Sequence, residues 1–243
     1  MTLTDILHPT RVKILELLSE NPKVLADIAK DLDLSKPEIS RHLARMRELN
    51  LVETKDRSHQ LSNLGEVILN LISPIGFLIE NYDFFINHRV DLPFSFIRDI
   101  DSLKHSELMA GTGYIASKME EIRKNTTIEA KMMVDQPFPG SIVQIERAML
   151  IVPFYAKIEN LNLDILEKSC KYYEFRTLPV VNLTLGITDR KHGFLIFPER
   201  ITGKIDYNYA FYITDDLGLD FLSRLWDYYW EKAEFRISTP QQL

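Results

Sequence analysis

Residues 24–61, VLADIAKDLDLSKPEISRHLARMRELNLVETKDRSHQL, admit few folds. Ser35 stands where a helix N-cap belongs, and Glu38 three residues on completes a capping box, so a helix is predicted from Lys36 to Asn50. Pro37 falls in its first turn, where the missing N–H costs nothing. Ile39, Leu43 and Met46 make one apolar stripe, and the other side carries Lys36, Ser40, Arg41, Ala44, Arg45 and Arg47. A helix that is apolar behind and basic or hydroxylic in front suits the major groove of duplex DNA. A short helix over Ala26–Leu32, with Ile28, Ala29 and Leu32 inward, precedes it across a tight turn at Asp33-Leu34. A strand over Leu51–Lys55, a turn at Asp56-Arg57-Ser58 and a return strand over His59–Leu61 follow. In that order, helix, turn, recognition helix and basic-tipped hairpin describe a winged helix-turn-helix.

The motifs His8-Pro9-Thr10-Arg11 and Ile14-Leu15, then Ser35, Ser40-Arg41-His42-Leu43 and Leu49-Asn50-Leu51-Val52, resemble the opening helix, recognition helix and exit of the ArsR-like winged helices. Asp33 stands where many such proteins carry Gly, a departure that a short polar residue tolerates. The resemblance implies a partner, double-stranded DNA. Arg41 and Arg45 are the candidate base readers. Lys36, Lys55 and Arg57 are the candidate phosphate contacts, and Ser35 and Ser40 complete the DNA-facing set. The competing reading is a winged helix that has lost DNA and docks proteins as an adaptor or dimerisation scaffold.

Charge bears on that choice. The net charge is −6, and residues 1–72 hold 10 Lys and Arg against 11 Asp and Glu. Residues 35–57 reverse the balance with six basic residues against four acidic ones. Local geometry governs phosphate contact, so this pattern excludes a non-specific coating protein rather than a sequence-specific one.

Pro9 opens the first helix, where Val12, Leu15 and either Leu18 or Leu17 face the helix-turn-helix, and Asn21-Pro22 ends it. After the hairpin, Ser62 is placed to cap a long helix. Leu64, Ile68, Leu71, Ile75, Leu78, Tyr82 and Phe85 follow a heptad spacing, flanked by a second stripe of Val67, Ile72, Ile79 and Ile86. Two stripes exceed what one small domain needs. Either one of them is a homodimer seam, with Leu64, Ile68, Leu71, Ile75 and Leu78 as its residues, or both pack within the monomer. Pro74 and Gly76 are expected to kink or split the helix.

The expected domains are 1–72 (winged helix), 73–92 (linker and dimerisation helix) and 93–243 (effector or regulatory). The fold class is α/β (α+β overall), the C-terminal domain having a mixed sheet. Within it the pattern predicts a helix over Phe94–Leu103, a strand over Glu107–Met109 and a helix over Thr112–Asn125. A strand over Ile128–Val134 and an apolar central strand over Met149–Val152 come next, then a helix over Leu161–Tyr172 and an extended Glu174–Leu178. A hairpin joins Val181–Ile187 to Phe194–Phe197 through Asp189-Arg190-Lys191-His192-Gly193. A last helix over Asp216–Glu234 is expected to bury Leu219, Leu222, Trp226, Tyr229 and Ala233, before a loose tail after Ile237. Asn81–His88 with Asp91-Leu92-Pro93, the pairing of Ile187-Thr188-Asp189-Arg190 with Asp206-Tyr207-Asn208, and Trp226-Asp227-Tyr228-Tyr229 resemble the regulatory domain of the Fil-type methanogenesis regulators of archaea. That resemblance implies an archaeal transcriptional regulator and is weaker over Met132–Pro179.

Other chemistry is not expected. Cys170 is the single cysteine, and no apolar run reaches membrane-spanning length. With no signal-peptide pattern at the N-terminus, the cytoplasm is the expected home. Thiolates or clustered His and carboxylates at metal-ligand spacing are missing, and so are phosphate loops and hydrolase motifs, so neither metal, cofactor nor catalytic residue is assigned. Ten of the 25 aromatic residues lie in 207–235, which suits either a core or the wall of a pocket for a small-molecule effector. For a pocket, Tyr207, Tyr209 and Trp226 are the candidate walls and Asp189 the candidate polar anchor.

Overall fold

The computed structural model describes residues 6–136, 144–156 and 170–238. Its contacts divide the chain into two units, 1–76 and 77–243. The first contains α1 (Pro9–Glu20), α2 (Leu25–Asp31), α3 (Lys36–Glu48), β1 (Val52–Lys55), β2 (Ser58–Leu61) and the start of α4 (Asn63–Glu80). The recognition helix forms for the local reasons read above: Ser35 Oγ accepts from the Glu38 amide at 3.4 Å. It stops at Leu49, and Asn50 turns the chain out in the left-handed region at φ 55°. Asp33 adopts φ 52° in the tight turn before it.

The core of this unit joins Ile14, Leu15 and Leu18 to Ile28, Ile39, Leu43, Met46, Leu51 and Leu69. Leu18 rather than Leu17 is the buried member of the pair, and Val12 is only half-buried. The hairpin turns on two residues, Asp56 at φ 49° and Arg57 at φ 69°, with Ser58 already paired to Lys55. Two successive positive φ values make the turn whose twist matches the strands.

Ser62 caps α4 by accepting from the Gly65 amide at 3.0 Å. The helix runs unbroken through Pro74, contrary to a split there, and ends at Glu80. Asn81, whose side-chain amide donates to the Phe77 carbonyl at 3.0 Å, separates it from α5 (Tyr82–Phe85). With 18 residues, α4 is long and apolar enough to match a membrane span by length and composition, which corrects the expectation that no such run exists. Its Leu69 nevertheless packs in the first core, and its Phe77 in the second.

The second unit is built on an eight-stranded mixed sheet. Its strands are β3 (Glu107–Ala110), β4 (Glu129–Met133), β5 (Ile145–Pro153), β6 (Cys170–Leu178), β7 (Thr184–Thr188), β8 (His192–Ile196), β9 (Tyr209–Ile213) and β10 (Glu234–Ser238). The spatial order is β10-β6-β5-β4-β7-β8-β9-β3, parallel between β4 and β5 and between β5 and β6, antiparallel elsewhere. A bulge interrupts β10 between Phe235 and Ile237. One face meets α6 (Phe94–Ile97), a 3-10 turn at Ile100–Leu103 and α8 (Asp216–Lys232); α7 (Thr112–Asn125) packs on β3 and β9 through Ile115 and Ile122.

Several expectations change here. Phe94–Leu103 is two short turns rather than one helix. Cys170–Tyr172 begin β6 instead of ending a helix, and residues 161–169 lie outside the described residues. Met133, placed on the polar side of its strand, is buried, while Ile128 is exposed. The last helix stops at Lys232, and Ser238 belongs to β10 rather than to a loose tail; residues 239–243 are outside the described residues. Besides Leu222 and Trp226, α8 buries Gly218, Phe221 and Leu225, whereas Leu219 and Tyr229 are half-buried. His192 begins β8 rather than lying solvated in the turn, with its Nδ1 2.8 Å from the Tyr212 hydroxyl. Phe77, Leu78, Phe84 and Phe85 pack in the second core, so much of the segment read as a linker belongs to the second unit.

Gly65 provides a test of the first unit. A Cβ there would lie 2.1 Å from the Leu51 carbonyl oxygen, a backbone atom that has no rotamer with which to retreat. Gly65→Ala is expected to destabilise this unit by about 1–3 kcal/mol, the usual cost of overpacking, despite the gain in helix propensity. A denaturant midpoint equal to wild type would refute the close approach.

Candidate nucleic-acid interface

The burial of Ile39, Leu43 and Met46 turns the opposite side of α3 to solvent. Ser35, Lys36, Ser40 and Arg41 are exposed there, and so are Lys55 and Arg57 at the hairpin. Arg45 is placed differently: its Nη1 lies 3.0 Å from Glu48 Oε2, so it must exchange that partner to reach a base. Arg47, not assigned a role from the sequence, is also exposed on α3. Its charge is felt at His59, whose pKa burial lowers first and Arg47 lowers further.

The hairpin is fixed from behind. His59 and Lys23 exchange both backbone hydrogen bonds, at 2.8 and 3.0 Å, and Lys23 Nζ reaches Asp31 Oδ2 at 2.9 Å. At the other end of the motif, His8 caps α1 by accepting from the Thr10 amide at 3.3 Å. The His8 ring lies 4.7 Å from that of His42 on α3. Burial, then the neighbouring His8 and Arg11, lower the His42 pKa. These contacts fix where the helix and hairpin point, a role the sequence disclosed only as the His8 and His42 positions of a motif.

The four candidate pocket residues do not form a site together. Trp226 is fully buried in the core, stacked on Trp230 at 5.2 Å. Tyr207 bonds to Asp135 Oδ1 and, at 3.2 Å, to Thr184 Oγ1, and burial with the Asp135 bond drives its pKa well up. Tyr209 sits against His88, which is itself stacked on Phe84 and 3.2 Å from Asp206. Asp189 is spent on the backbone: its carboxylate accepts from the amides of Thr127, Ile128 and Glu129 at 3.0, 2.9 and 2.8 Å. Aromatic density over 207–235 is therefore largely core: Phe211, Phe221 and Trp226 are buried, and Tyr207, Tyr212, Tyr228, Tyr229 and Trp230 pack against the cores. Among the described residues no three of His, Cys, Asp and Glu gather as metal ligands.

The long helix divides its apolar residues differently from the heptad reading. Leu64, Leu71 and Ile75 are exposed as that reading needs, Leu71 at 64%. Ile68 packs against the first core and Leu78 against the second, so neither is on the outer stripe. Val67 and Ile79 take their places, giving Leu64, Val67, Leu71, Ile75 and Ile79 at spacings of three and four along one outward face.

Residues 8–54 match the family model described as bacterial regulatory protein, arsR family, and form a helix-turn-helix domain of that type. Over 47 residues, 19% of this chain and 50% of the other protein, the chain is 43% identical to an uncharacterised HTH-type transcriptional regulator of Methanocaldococcus jannaschii. The chain thus spans about half the length of that curated relative. Among solved structures, TrmBL2, described as an archaeal chromatin protein with a novel mode of DNA binding, is 14% identical; the alignment covers 93% of this chain and 92% of that one, with a TM-score of 0.39. HlyU from Vibrio cholerae is 24% identical over 30% of this chain and 85% of its own, with a TM-score of 0.27. The matched family residues lie in the first unit, and the Fil-type resemblance of the second rests on its sequence motifs alone.

Asp189 generates a prediction in its structural role. Burial tends to raise its pKa, but the three backbone donors and Lys191 outweigh it and hold the carboxyl below the ordinary range. A lowered folded pKa adds stability above the unfolded value of about 3.9, lost as pH falls through the folded value. Asp189→Asn keeps the left-handed turn, and is expected to cost about 1–3 kcal/mol at pH 7. Urea melts at several pH values check this: the gap to wild type should begin to narrow below pH of about 4 and close as pH falls through the folded value. A gap independent of pH would refute it.

Proposed function

We propose that this chain is a sequence-specific, double-stranded-DNA-binding transcriptional regulator, working in the cytoplasm as a homodimer and answering to a small effector. The observation that carries the reading is the exposed set Ser35, Lys36, Ser40 and Arg41 on the recognition helix of an arsR-type helix-turn-helix, with Lys55 and Arg57 on the hairpin beside it. Arg41 reads base edges in the major groove; Lys36, Lys55 and Arg57 meet phosphates and set the register. Arg45 joins Arg41 by leaving Glu48, an exposed pair worth only about 0–1 kcal/mol. The outer stripe of α4 supports the dimer, because a solvent-facing apolar row on a long helix gains most by meeting its own copy about a two-fold axis. Two copies would also present two recognition helices to a half-site pair. In this reading residues 1–72 read DNA, 73–92 carry the dimer helix, and 93–243 hold the effector.

Two experiments test it. Arg41→Ala is expected to weaken the cognate site by about 1–3 kcal/mol and relax specificity, whereas Arg57→Ala lowers affinity for every duplex alike and reduces the salt slope by about 1. Footprints of both variants identical to wild type would exclude this face. Leu71→Glu, at a position where a charge costs the monomer little, is expected to give monomers that lose operator affinity. Light scattering that finds wild type monomeric at micromolar concentration would remove the dimer.

A further inference from the structure

The sheet face that α8 covers over β7 and β8 continues onto β4, β5 and β6, and its character changes there. Met133 and Ile151 share that face and lie in the core. By strand alternation so do Glu129, Lys131, Arg147, Tyr172 and Glu174. The register sets Glu129 opposite Arg147 and Arg147 opposite Tyr172; Lys131 is opposite Met149. Lys131 and Arg147 are therefore diagonal neighbours on adjacent strands, within reach of one bound group.

The charges here are paired unequally. Glu174 is held on both oxygens, accepting from the Tyr172 hydroxyl at 2.6 Å and from Arg176 Nε at 2.7 Å. Arg176 is engaged at both ends in turn, donating also to the Trp230 carbonyl at 3.0 Å and lying over that ring. Glu129 instead faces two cations, and Lys131 Nζ and Arg147 Nη1 each stop 3.8 Å from it, beyond hydrogen-bond range. Neither cation makes a hydrogen bond among the described residues, although only 14% of the Lys131 side chain is exposed. A self-contained charge ladder closes at the distances seen for Glu174 and Arg176. Two loosely held cations sharing one carboxylate leave a positive surplus, reachable from the side of Arg147, which is 56% exposed and stands over the Tyr172 ring. Half-buried Met149 adds an apolar floor.

We propose that this corner of the sheet binds a small planar organic carboxylate, its oxygens between Lys131 and Arg147 and its body against Met149 and the Tyr172 ring. A guanidinium fork and an ammonium both donate to a carboxylate, and the ring offers a stacking wall. The site gives the effector reading an address and rests on it only for the consequence of binding.

Isothermal titration of the full chain with benzoate, beside inorganic phosphate, tests it. One saturable benzoate site per chain is expected, weakened about tenfold or more by Lys131→Met and by Arg147→Gln, each of which removes a charged donor. Glu129→Gln, which removes the competing carboxylate, should tighten binding severalfold. Lys171→Met, on the other face and paired with Glu146, should leave it unchanged. Thermal melts separate lost binding from lost fold, and exposed Arg147 carries the test if Lys131→Met does not fold. No saturable benzoate, heat from phosphate alone, or affinity indifferent to both cations would overturn the site. Benzoate that binds without moving duplex affinity keeps the site and ends the effector reading; duplex affinity that responds to another metabolite while benzoate fails to bind does the reverse.

Discussion

The whole first unit depends on three side chains of α3, Ile39, Leu43 and Met46, being out of water at once. Each such burial contributes about 1.5–3 kcal/mol, more than any single cap or ion pair on the surface of the motif. Ile14, Leu15, Ile28 and Leu51 complete that contact, so α1, α2 and the hairpin are not decorations on a DNA helix but the walls that fix its rotation. Rotation decides which side chains α3 presents to solvent. A turn of α3 by one residue would carry Ser40 and Arg41 round and bring apolar side chains to the surface. Gly65 belongs to the same constraint, because only a residue without Cβ lets α4 lie against the Leu51 carbonyl that leaves the recognition helix.

In the second unit, polar groups do the corresponding work at strand ends. Asp189 sits in a hairpin turn with φ 50° and holds three consecutive amides around the start of β4, which joins that strand to its neighbour before the ladder itself begins. His88 does something similar, with Nδ1 2.8 Å from the Phe84 carbonyl and Nε2 at Asp206, so a buried ring links α5 to the loop before β9. Groups engaged in this way are poor candidates for ligand contact. The loosely paired Lys131 and Arg147 differ from them in that respect, and from the tightly bonded Arg176 one row away on the same face.

The winged helix was legible because its signals are local. A cap, a box, a proline in the first turn and one apolar stripe all fall within 15 residues, and the positive-φ residues Asp33, Asp56 and Arg57 lie where the sequence predicts turns; Asn50, predicted as the end of the helix, is the exception. Long-range facts were not legible. Asp189 reads as a spare carboxylate until β4, some 60 positions earlier in the chain, is known to lie beside it. Strand β9 escaped because Ala210, Phe211 and Ile213 are buried on both faces, which erases alternation. For α4 the heptad matched the sequence, but a helix whose two ends pack on different cores keeps the ordinary 3.6-residue period, and this exchanged Ile68 and Leu78 for Val67 and Ile79. A run of aromatic residues near the C-terminus reads equally as pocket or core; the burial of Phe211, Phe221 and Trp226, with five more rings packed against the cores, assigns most of it to core.

Among the described residues the sheet ends in two open borders, β3 and β10, each with a row of backbone donors and acceptors facing no neighbouring strand. Such borders recruit strands from other molecules and seed fibrils. Here β3 is only four residues long, begins with exposed Glu107, and is cut off by Gly111 at φ 103°. The other border carries the bulge at 235–237, with exposed Glu234 and Arg236 on either side of Phe235. A second sheet would meet a register fault and a charge on one side and too short a template on the other. Both borders are thereby poor templates for a strand from another molecule, so the sheet resists open-ended growth through its edges.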